Sequence, residues 1–259
     1  MVIDRQKIIE AFRDYVSAYN AEDPKIKLKI DHTYRVASLC ERIAAGEGAD
    51  VELSWLCGML HDIGRFEQVR RYGTFNDALS VNHAEFGADL LFCEGLIEKF
   101  ADGLSEEELG IIETAIRYHS VYRLPEGIPE SRLSYCKLLR DADKIDILYV
   151  NCMIPPKDIY DIPEEQFKTS EVSDEVKQCF LNGTTVLKSL RKHPADYLVG
   201  QVCLAFEIEY PESRRIAKEQ GSVEKILSFE PENEATAEWF GYMRANIWNI
   251  IEAKYNTNK

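Results

Sequence analysis

The sequence contains no CxxC pair, no surplus of positive charge and no apolar run approaching the roughly 20 residues that span a bilayer. Each absence closes a class of function. The seven cysteines (40, 57, 93, 136, 152, 179 and 203) stand singly. That odd count fits reduced, mostly buried thiols in a cytoplasmic protein and no disulfide framework. The first residues, MVIDRQKIIEAF, carry charges at helical spacing and lack the apolar core of a signal peptide. A formal charge of −14 opposes any extended surface for nucleic-acid backbone. The local basic group of Arg65, Arg70 and Arg71 suits a small anion better than a polyanion, and a solvated patch is the simpler account of Arg70 and Arg71. There is no GxxxxGK[ST] loop, no GxSxG elbow and no dinucleotide glycine fingerprint, so phosphate-loop, serine-hydrolase and dinucleotide chemistry have no support.

What is present is helix after helix. At 259 residues, with 45% hydrophobic and 29% charged, the chain can form one large domain or two small ones around a substantial core. Between Asp4 and Asn20, Ile8, Ile9, Phe12, Tyr15, Val16 and Tyr19 share one stripe, with Asp4 placed to cap it. A second helix is expected from Leu28 to Ala45, stopping at Gly46 and Gly48. Asp50 caps a third, Ser80 a fourth through NHAEFGADLLF, and Ser105 with Glu108 forms a capping box before IIETAIRYH. The acids Glu106, Glu107 and Glu108 suit an exposed helix N-terminus. Ser131 opens RLSYCKLLRDADKIDILYV, and the proline-bearing segment Ile154 to Pro163 is a break. Further helices end in ATAEWFGYMRANIWNIIEAKY, whose Trp239, Tyr242 and Trp248 are expected in core packing or a homodimer contact, with a pocket wall as the alternative. No alternating strand and no internal repeat stands out. The expected fold class is all-α.

The stretch LSWLCGMLHDIGRF drives Trp55, Leu56, Cys57, Met59 and Leu60 straight into His61 and Asp62. A carboxylate buried there is costly unless something pairs with it. Other histidines occupy the same kind of place. His32 shares a face with Val36, Leu39, Cys40 and Ile43; His83 lies with Phe86, Gly87, Leu90 and Leu91; His119 follows Ile112, Ala115 and Ile116. One imidazole on an apolar face is an ordinary hydrogen-bonded core residue. Four of them, one beside an aspartate, form the donor set of a borderline divalent cation, whose charge would stabilise the buried carboxylate. His193, in RKHPAD, falls in a loop before proline and is assigned no role.

His32, His61-Asp62 within LHDIGR, and an aspartate in LLRDADKID resemble, in that order, the HD-domain superfamily of metal-dependent phosphohydrolases. The similarity covers residues 28 to 150, and His83 in NHAEFGADLL and His119 in IRYHS match two further histidines of its two-metal branch. The resemblance implies an all-α HD-domain bundle in which His32, His61, Asp62 and Asp143 hold one metal. Asp62 would bridge to a second ion completed by His83 and His119. The expected organisation is a metal-binding core at 1–152, including the N-terminal helix, and a helical extension at 153–259, beyond the resemblance, packed on it as one domain. Periodicity alone leaves the last aspartate open. Asp143 shares a face with Cys136, Leu139 and Ile147, and Asp141 shares one with Leu138, Ile145 and Leu148. The ADK tripeptide favours Asp143, which leaves Asp141 and Asp146 to cap, to pair with basic side chains or to support metal-bound imidazoles.

The expected cofactor is one or two divalent ions per chain, with Mn, Fe, Ni, Co, Zn and Mg not distinguished by this donor set. Such ions lower the pKa of bound water, and a pair about 3.5–4 Å apart neutralises phosphoryl oxygens. Arg65, one turn after His61, could set its planar guanidinium against a phosphate, or form a surface ion pair. Lys144 is a second candidate for substrate binding. The expected partner is a small phosphorylated substrate, a phosphate mono- or diester of a nucleotide or related metabolite, with no membrane. Two alternatives share the ligand set: a di-iron oxygenase, and a non-catalytic regulatory protein with a structural metal.

Overall fold

Short polar side chains start several of the helices by accepting from backbone N–H groups that the first turn leaves without partners. The computed structural model describes residues 3–20 and 22–256. In it, Asp4 accepts from Lys7 N ahead of α1 (Arg5–Ser17), Asp23 from Lys25 N ahead of α2 (Pro24–Glu47), and Asp50 from Leu53 N ahead of α3 (Val51–Leu60). Helix α4 (Ile63–Tyr72) follows directly, then α5 (His83–Phe92), α6 (Glu106–Tyr118) behind the Ser105–Glu108 capping box, and α7 (Glu130–Met153). No strand occurs among the described residues, so the fold is all-α. No helix there is long and apolar enough to cross a membrane.

The chain divides into two compact units at Asp143 and Lys144, inside α7. The boundary expected from sequence, 152/153, falls at the end of the same helix.

In the first unit α3 packs against α2 and α6, and α5 packs against α4 and α6. Helix α3 is buried on every side from Leu53 to Leu60, which accounts for a run that shows no polar face. Each large apolar side chain so buried contributes about 1.5–3 kcal/mol. Two glycine crossings set the helix spacing. A Cβ on Gly58 would stand 2.6 Å from Ala37 Cα, and one on Gly64 would stand 2.4 Å from His83 O. Only glycine at 64 lets α4 approach the start of α5 so closely.

Several local expectations need correction. Helix α2 starts at Pro24, four residues before the expected Leu28, because Asp23 and Pro24 supply a cap and a first-turn proline; it ends at Gly48, whose φ of 72° is the left-handed conformation of a C-cap. The cap of α5 is Asn82, not Ser80, which instead ends a short 3₁₀ turn over Asp77–Leu79. This makes His83 the first residue of α5.

The second unit holds α8 (Pro156–Tyr160), α9 (Glu164–Thr169), α10 (Asp174–Leu181), α11 (Pro194–Val202), α12 (Pro211–Gln220), α13 (Ser222–Leu227) and α14 (Glu234–Asn256). The expected break at 154–163 therefore contains one short helix. Buried Asp196 joins three segments of this unit, accepting from the backbone N–H groups of Ser173, Lys192 and His193 and from the Ser173 hydroxyl. His193 precedes α11 as its cap, with Nε2 3.3 Å from Glu171. The core face of α14 is Thr236, Phe240, Met243, Ile247 and Ile251. Trp239, Tyr242 and Trp248 are not on it. Trp239 stacks on Tyr242 at 5.2 Å with Tyr242 41% exposed, and Trp248 Nε1 donates to Glu224, so this stripe is half-buried flank, not core.

Candidate metal centre

His61 and Asp62 stand where one helix stops and the next begins. Leu60 ends α3, Ile63 starts α4, and Asp62 between them leaves helical geometry at φ −103°, ψ 15°. Adjacent residues inside a helix would diverge by about 100°. The break removes that divergence, and His61 Nε2 lies 3.6 Å from Asp62 Oδ2.

Four other helical positions converge on this junction. His32 comes from the middle of α2, His83 from the first residue of α5, His119 from the end of α6, and Asp143 from α7. His32, His61, His83 and His119 are 3%, 0%, 4% and 4% exposed, and Asp62 is 2% exposed. The two oxygens of Asp62 face different pairs of imidazoles. Oδ2 lies 3.5 Å from His32 Nε2 and 3.6 Å from His61 Nε2. Oδ1 lies 3.4 Å from His83 Nε2 and 3.7 Å from His119 Nε2. Asp143 Oδ1 joins the first pair, 3.2 Å from His32 Nε2 and 3.9 Å from His61 Nε2. His32, His61 and Asp143, and likewise His61, Asp62 and His119, each offer ligand atoms within 4.8 Å of one another. These two clusters could hold a metal.

Hydrogen bonds on the far side of the rings fix which nitrogen faces inward. His61 Nδ1 is 2.7 Å from Gly58 O, and His119 Nδ1 is 2.7 Å from Ile116 O. A carbonyl only accepts, so each Nδ1 carries a proton and Nε2 is the nitrogen turned inward. His83 Nδ1 lies 2.7 Å from Asp77 Oδ2, with the same consequence. His83 Nε2 and His119 Nε2 then face each other 3.1 Å apart, a spacing that one cation held by both nitrogens would account for. Two nitrogens bound about 2.1 Å from one ion at a right angle stand about 3 Å apart, so the donors fit a metal in kind and spacing.

Electrostatics keep the donors in ligating form. Burial pulls His61 and His83 down to about 4, so both rings are neutral at pH 7. Burial works against ionisation of Asp62, but the Lys29 ammonium outweighs it and holds this carboxyl well below its ordinary range. Asp143 is likewise opposed by burial and held low by its hydrogen bond with His32. Both carboxylates are ionised.

Arg65 is not a surface pair. Its side chain is 14% exposed, and NH1 donates to Gln68 Oε1 at 2.8 Å, Phe75 O at 2.7 Å and Asp77 Oδ1 at 2.6 Å. Its Nε is buried without a hydrogen-bond partner among the described residues and lies 3.8 Å from Asp62 Oδ1. Lys144, by contrast, stands 3.5 Å from Glu207 Oε2 within the second unit. Arg70 and Arg71 both donate to the buried carboxylate of Glu67 while their side chains stay 57% and 45% exposed, so they form a solvated pair of cations engaged with Glu67.

Three residues at the centre escaped sequence reasoning. Lys29 Nζ donates to Asp62 Oδ2 at 2.6 Å, Asp77 holds His83 and Arg65, and fully buried Gln68 donates to Asp77, Ser80 and Val81. Lys29 lies one turn before His32, which is the only signal its position offered. Arg140 adds a support, donating to the carbonyls of Tyr118, His119 and Val121 and so holding the end of α6.

Residues 30–148 match the family model of the HD domain. Among solved structures, a predicted HD superfamily hydrolase from an uncultured Thermotogales bacterium is similar to 90% of this chain and 92% of its own, at 20% identity and a TM-score of 0.46. No curated protein matches.

Proposed function

We propose, from the premise that residues 30–148 form an HD domain, that this chain is a metal-dependent phosphohydrolase. Its substrate on this reading is a phosphate mono- or diester of a nucleotide or related small metabolite. The observation that carries it is the division of Asp62, with Oδ2 toward His32 and His61 and Oδ1 toward His83 and His119. A carboxylate so shared suits two ions held side by side, the first completed by Asp143 and the second by His83 and His119. Bound divalent ions supply a water of lowered pKa and positive charge for phosphoryl oxygens.

The residues of the chain contribute the rest. His32, His61, His83 and His119 offer neutral or hydrogen-bonded imidazole nitrogens from four separate elements, which fixes the distance between the two subsites. Asp62 and Asp143 supply negative charge that balances the cations. Arg65 is held by NH1, and its unpartnered Nε lies on the side of Asp62, where an anionic oxygen would find a donor already oriented. Orientation fixed in advance costs nothing on binding. Lys29 adds a second cation at the same carboxylate. With Lys144 engaged at Glu207, Arg65 and Lys29 are the better candidates to contact the substrate phosphate.

The test is metal content by elemental analysis after anaerobic purification, followed by a phosphate-release screen over nucleotides and small phosphate esters. Release that requires metal and is abolished in Asp62→Ala supports the proposal. Oxygen consumption by the iron-loaded protein with no phosphate release would replace it with oxygenase chemistry.

A further inference from the structure

Asp77 lies between α4 and α5, and its two oxygens go to two different parts of the centre. Oδ2 is 2.7 Å from His83 Nδ1. Oδ1 accepts from Arg65 NH1 at 2.6 Å and from Gln68 Nε2 at 3.0 Å. At His61 and His119 the corresponding acceptor is a backbone carbonyl; at His83 it is a carboxylate. That difference matters chemically. A carboxylate behind an imidazole fixes the tautomer and raises the basicity of the opposite nitrogen more than a neutral carbonyl does.

We propose, on the metal-centre reading above, that Asp77 is a positioning residue serving both functions of the site. It holds His83 as the Nδ1–H tautomer with Nε2 aimed at Asp62, and it anchors the guanidinium that would meet the substrate anion. The second metal position and the anion handle are thereby set by one side chain. Its surroundings make the placement rigid. Gln68 bonds to Arg65, Asp77, Ser80 and Val81, and Phe75 O accepts from Arg65, so the loop from 75 to 81 is fastened to α4 at several points.

The requirement is for two acceptors. All three partners of Asp77, His83, Arg65 and Gln68, are donors, and the two oxygens of a carboxylate can accept from them at once. An asparagine has one carbonyl oxygen, so in Asp77→Asn an NH₂ group must face either His83 Nδ1 or Arg65. Nearly isosteric with aspartate, it tests charge and acceptor count without opening a cavity. Asp77→Leu removes both acceptors.

Two measurements decide the matter. Long-range ¹H–¹⁵N NMR of the histidine side chains, on metal-free protein, reads the tautomer of His83 directly. The parent is expected to show Nδ1–H, and Asp77→Leu a mixture with the other tautomer, while His61 and His119 stay unchanged. Chelator competition on the loaded proteins then reads each ion separately. In both variants the second ion should bind about 10–100-fold more weakly and the first as in the parent. A merely structural loop staple would lower thermal stability and leave the tautomer and the ratio of the two affinities as they were. That outcome, or an Nε2–H tautomer at His83 in the parent, overturns the proposal. A parent that takes up no metal overturns the metal-centre reading instead, and the tautomer measurement still decides the role of Asp77.

Discussion

Lys29 Nζ stands 2.6 Å from Asp62 Oδ2, so an ammonium from α2 occupies the flank of the carboxylate around which four histidines gather. The pair explains how Asp62 stays ionised at 2% exposure. It also sets up a competition, because a metal ion at Oδ2 must share that oxygen with an existing positive charge. Lys29→Met keeps the length of the side chain and removes the charge. Apparent affinity for the first ion should rise at least about tenfold, given the strength of like-charge repulsion at this range. Chelator competition checks it, and unchanged affinity would show that the ammonium leaves the site freely.

Substitutions of the ligands should separate the two subsites. Asp62→Ala should lose most bound metal and all activity, since one carboxylate faces both. His83→Ala and His119→Ala should each lose about half the metal while activity falls much further, because one ion cannot neutralise both the attacking and the leaving oxygens. Elemental analysis of the metal-replete parent and the three variants provides the check. One equivalent in the parent, unaltered by either histidine substitution, would leave His83 and His119 as core residues.

Gly64 should tolerate no side chain. A Cβ there would come within 2.4 Å of His83 O and 2.7 Å of Gly87 N, both backbone atoms that cannot rotate away. Gly64→Ala should therefore push α5 from α4, costing about 1–3 kcal/mol or more. The displaced residue is His83, so metal content should fall together with Tm. A variant with the parent's Tm and full metal content would contradict the crossing described above.

Glu67 should give the first unit an acid-sensitive component of stability. Its buried carboxylate accepts from Arg70, Arg71 and the Tyr19 hydroxyl, which lies 2.9 Å from the Tyr15 hydroxyl; Tyr15 in turn donates to Ile63 O next to the His61-Asp62 junction. Burial opposes ionisation, but the bonds from Arg71, Arg70 and Tyr19 outweigh it and hold the group below its ordinary 4.5. A folded-state pKa below the unfolded one gives stability that is complete above about pH 4.5 and lost as pH falls through the folded value. The Tm difference between parent and Glu67→Gln should thus be largest at neutral pH and shrink below pH 4.5. A difference that does not change between pH 7 and pH 3 would show that the ionised carboxylate is not the cause.

Periodicity and capping chemistry determined several helices of the first unit from sequence alone. Asp4, Asp50 and the Ser105–Glu108 box start them where expected, because a cap acts on backbone within three residues of itself. The same periodicity put His32, His61, His83 and His119 on buried faces, since burial on one side of a helix is written in the spacing of its apolar neighbours. Tertiary structure decided what those faces meet. Asp141 and Asp143 lie on different apolar faces of α7, and only the packing of α7 brings Asp143 Oδ1 to 3.2 Å from His32. Trp239 and Tyr242, expected in core packing or a homodimer contact, flank the core, because the neighbouring helices cover the Phe240–Met243 side. Lys29 and Asp62 are 33 residues apart, and each looks like an ordinary polar position until α2 and the α3–α4 junction pack together. Pairing between distant charges has no period to read, since it depends on where each helix lies in space and not on the residues beside it in the chain.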